Sequence, residues 1–114
     1  MPYLKIQTNR HVDAGRRTEL LVAASRLVAD ILGKPERYVM VALEADVSMV
    51  FAASDAPLVY LELKSIGLDE AATAGLSEHL CRLMDERLQV PAERVYIEFA
   101  NAPRHMWGWN GATF

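Results

Sequence analysis

The chain has 114 residues, 52% of them apolar and 24% charged, with a formal charge of −3; that suits one globular domain with its own core and excludes a disordered composition. The acidic balance and the scattered basic residues leave no electrostatic footprint for nucleic acid. With a single cysteine, Cys81, no intrachain disulfide forms, and His11, His79 and His105 lack metal-ligand spacing,.

The chain opens with Met1-Pro2-Tyr3-Leu4-Lys5-Ile6, where Leu4 and Ile6 alternate with Lys5 and Gln7, predicting a half-buried strand from the first residues,. Pro2 fits two readings. It forfeits no needed ladder donor as the first residue of a strand. Its small size behind the initiator also permits removal of Met1, which would leave a secondary amine, able to accept a proton, on a rigid element.

Thr8 to Asp13 is polar and turn-like, with Asp13 as a helix cap,. From Ala14 to Leu32, Leu20, Ala24, Leu27, Val28 and Ile31 form one apolar helical stripe; Gly33 suits the left-handed end and Pro35 prevents continuation,. Tyr38 to Leu43 is a short apolar run expected as a strand. No stretch is long enough to cross a membrane, and the start lacks the basic and apolar regions of a secretory signal, which reads as a cytoplasmic chain,.

The order then repeats: Leu58 to Leu63 as a strand, Asp69 as a cap, Leu76, Leu80, Leu83, Met84 and Leu88 as a helical stripe, and Val95 to Phe99 as a strand. The connections Gly33-Lys34-Pro35-Glu36-Arg37-Tyr38-Val39 and Val90-Pro91-Ala92-Glu93-Arg94-Val95-Tyr96 are alike. We read an internal duplication over approximately 2–45 and 58–100, followed by a C-terminal edge segment, 106–114, within a single domain at 1–114,. Right-handed crossovers put both helices on one face of a four-stranded mixed sheet, an α+β fold of two βαβ repeats. The other face then carries Tyr3, Lys5 and Gln7, Tyr60, Glu62 and Lys64, and Tyr96 and Glu98. Ser48 to Phe51 and Met106 to Trp109 look like extra edge strands, and apolar edges of this kind favour a closed oligomer.

Both tryptophans lie in the last nine residues, where dense aromatics serve as a structural plug or as a ligand platform,. Lys34, just past a helix end, is favoured there by the helix dipole alone.

Taken together, Met1-Pro2, Gln7-Thr8-Asn9, Gly33-Lys34-Pro35, Ser65-Ile66-Gly67, Arg94-Val95-Tyr96-Ile97, Gly108-Trp109-Asn110 and Thr113-Phe114 resemble the macrophage migration inhibitory factor family of the tautomerase superfamily across essentially the whole chain. The resemblance implies a homotrimer with sheets around a central channel, helices outside and active sites between neighbouring subunits. It implies keto–enol tautomerisation of phenylpyruvate-type aromatic α-keto acids without metal or organic cofactor. By that resemblance Pro2 is the catalytic base. Lys34 and the Ile66 N–H meet the substrate's carboxylate or enolate oxygen, and Tyr3, Tyr38, Trp107, Trp109, Phe114 and a neighbouring subunit's Tyr96 wall the pocket. A working base at neutral pH needs a lowered amine pKa, and burial and the Lys34 ammonium both act in that direction.

The sequence departs from the family at three places. Glu98 stands where mammalian members have asparagine; a carboxylate there favours protonated Pro2 and repels an anionic keto acid, predicting weakened or shifted activity. Trp107 replaces a small aliphatic residue and narrows the pocket mouth. Leu58 and Leu61 stand in place of the family's CxxC pair, so thiol oxidoreductase chemistry does not transfer. Animal members also act as secreted cytokines, so the alternative is a non-catalytic binding or signalling protein that keeps the trimer and pocket, reaching the outside by leaderless secretion.

Overall fold

In the computed structural model, which describes residues 1–114, the opening alternation becomes strand β1 (Tyr3–Thr8). Leu4, Ile6 and Thr8 are fully buried. Thr8 is tolerated there because its hydroxyl donates to the Leu58 carbonyl at 2.8 Å, leaving no unpaired polar atom,. Helix α1 (Ala14–Leu32) buries Leu20, Ala24 and Val28, four residues apart on one stripe,. The expected cap differs. The Asp13 carboxylate makes no capping bond; it lies 3.2 Å from His11 Nε2, and only the Asp13 carbonyl serves the helix, accepting from Arg17 N at 2.9 Å.

Gly33, at φ 62°, ends α1 in the left-handed conformation, and Pro35 begins a 3-10 turn, Glu36–Tyr38. Strand β2 (Met40–Glu44) therefore starts two residues later than the apolar run suggested. The reason is local: Tyr38 N bonds the Pro35 carbonyl and Val39 N that of Glu36, so the proline-led turn takes residues that apolarity alone assigns to the strand.

The second half follows the same order through β3 (Val59–Ile66), α2 (Thr73–Leu88) and β4 (Val95–Ala102). Asp69 does cap, but it caps a short 3-10 turn, Glu70–Ala72, by accepting from Ala71 N at 2.9 Å, and α2 begins beyond it. Pro91 again leads a 3-10 turn, Ala92–Arg94. The end of α2 differs from that of α1 in one respect, because its left-handed residue is Gln89, at φ 55°. A side chain with a Cβ is disfavoured there. Gln89→Gly is thus expected to raise Tm by about 2–4 °C in a thermal melt; an unchanged or lower Tm would mean that the exposed bonds of the Gln89 amide, from Nε2 to the Glu86 carbonyl and from Arg10 to Oε1, outweigh the strain.

The sheet order is β2-β1-β3-β4, with β1 and β3 antiparallel at the centre and a parallel partner on each flank. Both helices cover one face, where Leu4, Ile6, Leu61 and Leu63 meet Leu20, Val28, Leu76, Leu80 and Met84 in a single buried cluster. On the open face the register sets Tyr3 beside Lys64, Lys5 beside Glu62, and Glu62 beside Glu98. Ion pairs Lys5–Glu44 (3.5 Å) and Lys64–Glu62 (3.7 Å) lie on it.

Neither expected edge strand joins this sheet. Around Ser48–Phe51 only an isolated bridge between Phe51 and Ser54 forms, closed over Ala52 and Ala53 at positive φ, and the Arg94 guanidinium holds the Phe51 and Ser54 carbonyls. Near the C-terminus Met106 ends a 3-10 turn, Arg104–Met106, and β5 (Gly108–Trp109) pairs with β6 (Ala112–Thr113) in a separate hairpin. Asn110 and Gly111, at φ 53° and 77°, supply the two positive-φ positions that a tight hairpin turn demands,.

Candidate active site

Pro2 is buried at the entrance to β1, and its carbonyl accepts from Met40 N at 3.0 Å, so the parallel ladder with β2 fixes its position. At this end of the sheet an open groove of about 510 Å³ is lined by Pro2, Tyr3, Tyr38, Met40, Lys64, Trp107, Trp109 and Phe114, among others. The terminal hairpin brings its aromatics to Tyr38. The Trp109 ring meets Tyr38 edge-on at 5.5 Å and stacks on Phe114 at 5.6 Å, while Phe114 N donates to the Trp107 carbonyl at 3.2 Å. These rings give the groove an apolar wall suited to an aryl group.

Electrostatically the groove disfavours a protonated amine. The Met1 α-amino group is held below its ordinary value of 8.0, by burial first and then by the Lys34 and Arg104 cations,. In this chain Pro2 N is the amide nitrogen joined to Met1, so the Met1 amine samples the field one residue outward from it. Lys34 Nζ lies 3.9 Å from where a Cβ on Gly67 would stand, which puts the ammonium against the turn that follows Ile66. That turn is tied down by Asn101, whose Oδ1 accepts from Gly67 N at 3.0 Å and Leu68 N at 3.2 Å. Gly67, at φ 69°, is the residue type that the turn requires,.

Of the residues singled out from sequence, Pro2, Tyr3, Tyr38, Trp107, Trp109 and Phe114 line one groove; Lys34 and Ile66 are not in its lining, but the Lys34 charge reaches the Met1 amine and its Nζ lies against Gly67, the residue after Ile66. Tyr96 and Glu98 are elsewhere in the protomer. Tyr96, 65% exposed, packs on Phe51 at 4.5 Å beside an apolar hollow that includes Val50 and Met49. Glu98 lies on the open sheet face, accepting from the Tyr60 hydroxyl at 3.3 Å. Sequence reasoning missed Arg37, Met40, Lys64 and Arg104. Lys64 had a legible signal, since the parity that sends Tyr3 to the open face sends Lys64 there too. No three His, Cys, Asp or Glu side chains converge as a metal ion would need.

Tyr60 sits between two carboxylates, Glu62 at 3.1 Å and Glu98 at 3.3 Å. Its phenol is pushed up from 10.0 to about 12, by desolvation first and then by the hydrogen bond to Glu62 and the two negative charges,. A raised folded-state pKa gives stability that is fully present below pH 10 and lost as pH rises towards 12,. Alkaline titration followed by tyrosinate absorbance should show a late phase near 12 that Tyr60→Phe removes; persistence of that phase in the variant would assign it to another tyrosine.

The arrangement is that of an α+β protein in which two strand–helix–strand runs share one sheet and the first residues of the chain open into an aromatic groove. The sequence matches the family described as Macrophage migration inhibitory factor (MIF) over residues 1–114. It is 36% identical over 115 residues to a macrophage migration inhibitory factor homolog of Brugia malayi, covering 100% of this chain and 99% of that one. With the Mus musculus macrophage migration inhibitory factor it shares 33% identity over 118 residues, again covering 100% and 99%. The fold superposes on the homologue from Prochlorococcus marinus with a TM-score of 0.92 at 42% identity, over 98% of each chain. On the Trichinella spiralis protein the TM-score is 0.90 at 32% identity, over 98% and 99%. The chain belongs to the macrophage migration inhibitory factor family, within the tautomerase superfamily. No helix in it is long and apolar enough to cross a membrane.

Proposed function

We propose that this chain, with Met1 removed, is a phenylpyruvate-type keto–enol tautomerase that works as a homotrimer with Pro2 as its general acid and base. The observation that carries this reading is the buried Pro2 in an aromatic groove where burial first, and then the Lys34 and Arg104 cations, lower the pKa of the neighbouring Met1 amine. The neutral Pro2 nitrogen takes a proton from the carbon alpha to the substrate carbonyl, and the developing enolate oxygen faces Lys34 and the Ile66 backbone. The proton then returns to that oxygen, or the sequence runs in reverse. Tyr3, Tyr38, Trp107, Trp109 and Phe114 hold the aryl group, and Tyr96 of a neighbouring copy completes the wall. No step calls for a metal or organic cofactor.

Glu98 tunes this chemistry. In a trimer it approaches the pocket from the neighbouring copy, where its charge favours protonated Pro2 and opposes an anionic substrate. The reading is tested by an enol–keto assay on phenylpyruvate and hydroxyphenylpyruvate. We expect turnover by the Met1-free protein and a several-fold gain in kcat/KM for Glu98→Gln. Absence of any gain would remove the electrostatic role of Glu98, and absence of turnover in both proteins would favour a binding protein that retains the pocket.

A further inference from the structure

We propose that Arg37 makes this groove selective for aromatic keto acids that carry a second anionic group at the end remote from the reacting carbonyl. The inference rests on the tautomerase reading for the identity of the reacting end, and on the groove itself for the rest.

Arg37 lines the groove, and its guanidinium carbon stands 4.7 Å from the centre of the Tyr38 ring. The stack restricts a side chain that would otherwise sweep solvent, so its donors are held at the aromatic wall. No carboxylate, from a side chain or the chain terminus, lies within ion-pairing distance of Arg37, and no hydrogen bond occupies its donors. Glu36, its neighbour in the 3-10 turn, does not pair with it. The other cation lining the groove, Lys64, is partly offset by Glu62 at 3.7 Å. No aspartate or glutamate side chain lines the groove. A chain of net charge −3 thus presents an unmatched guanidinium at the rim of its most aromatic concavity, a field that draws anions,.

The backbone fixes where that charge lies. Met40 N grips the Pro2 carbonyl, and Arg37 is three residues upstream, within about 10 Å of chain. Pro2, Tyr38 and Arg37 line the same groove and the Arg37 guanidinium lies over the Tyr38 ring, so we place the far end of a ring that packs on Tyr38, with its keto group at Pro2, at Arg37. A carboxylate or phosphate there meets a planar fork of donors suited to a bidentate bond. Glu98, proposed to approach from a neighbouring copy, is not part of this wall and acts on the substrate's charge in general; Arg37 discriminates between one anionic group and two.

The test compares kcat/KM for 4-carboxyphenylpyruvate and phenylpyruvate in the Met1-free protein, in Arg37→Gln and in Arg37→Lys. Wild type is expected to prefer the dianion by about tenfold. Arg37→Gln should lose the preference and Arg37→Lys should keep part of it. Equal rates for the two substrates in wild type, or a preference that survives Arg37→Gln, would overturn the inference while leaving the tautomerase reading intact. A parallel titration with terephthalate and benzoate, followed by fluorescence of Trp107 and Trp109, separates the two ideas. Tighter terephthalate binding that depends on Arg37, in a protein that turns over neither keto acid, would sustain the inference and sink the catalytic reading.

Discussion

Pro2→Ala in the Met1-free chain is expected to lower kcat/KM for phenylpyruvate by about two to four orders of magnitude, the range that a positioned general acid and base contributes. The substitution keeps an amine but removes the pyrrolidine ring, which supplies a secondary nitrogen with few rotational states. An alanine amine at the start of β1 turns more freely, and the time spent aligned with the substrate's α-carbon falls with it. Structure should be largely spared, because the substitution leaves in place the backbone carbonyl that Met40 N grips. Far-ultraviolet circular dichroism and Tm within a few degrees of wild type, together with collapsed turnover, are therefore predicted. Turnover within a factor of three of wild type would place the base elsewhere.

The second large effect is structural and falls on Arg94. Its guanidinium donates to four backbone carbonyls: Pro57 at 3.3 Å, Phe51 at 2.8 Å, Ser54 at 3.0 Å and Ala56 at 2.8 Å. It also lies over the Phe51 ring, 5.2 Å from its centre. One side chain thus holds the loop that leads into β3 and keeps Phe51 against Tyr96. Arg94→Ala is expected to cost about 2–3 kcal/mol in chemical denaturation, since charge-assisted bonds are lost at several points and the carbonyls are recovered only by water. Arg94→Lys should recover little, because an ammonium cannot reproduce a planar fork. If the Val50 and Tyr96 surface meets a neighbouring copy in the proposed trimer, the variant should also dissociate at higher protein concentration in sedimentation. A variant as stable as wild type would show that the loop holds itself.

Much of this architecture is legible in period and punctuation. The alternation around Leu4 and Ile6, the four-residue stripe through Leu20, Ala24 and Val28, and Gly33 followed by Pro35 each have one cheap local solution, and the protein adopts it. Errors arise where two local solutions compete. Apolarity assigns Tyr38 to a strand, but the preceding proline nucleates a turn, and that turn is what delivers the Tyr38 ring to the groove. Asp13 has the residue type of a cap, yet its carboxylate meets His11 instead. Ser48 to Phe51 has the composition of an edge strand, and nothing local reveals that Arg94, forty-odd residues later, holds the loop.

The candidate site divides in the same way. Pro2, Tyr38, Trp109 and Phe114 are accessible from sequence because their order along the chain resembles a known family, Trp107 by its position beside Trp109 although it departs from that family, and the fold brings all five to one groove. Arg37 escapes notice there, because a lone cation beside a turn has an ordinary solvated role and only the stack on Tyr38 gives it a direction, whereas Lys64 shares the legible parity of Tyr3 and the register adds that the two stand side by side. Tyr96 and Glu98 belong to the proposed site only through a second copy, a relation that a single chain does not contain.

The most direct test compares phenylpyruvate tautomerisation by two preparations of this chain, each verified by intact mass, one beginning at Pro2 and one retaining Met1. With a free imino nitrogen the first should turn over, and the second, whose Pro2 nitrogen is an amide without basicity, should be inactive. Equal rates from both forms would contradict the account.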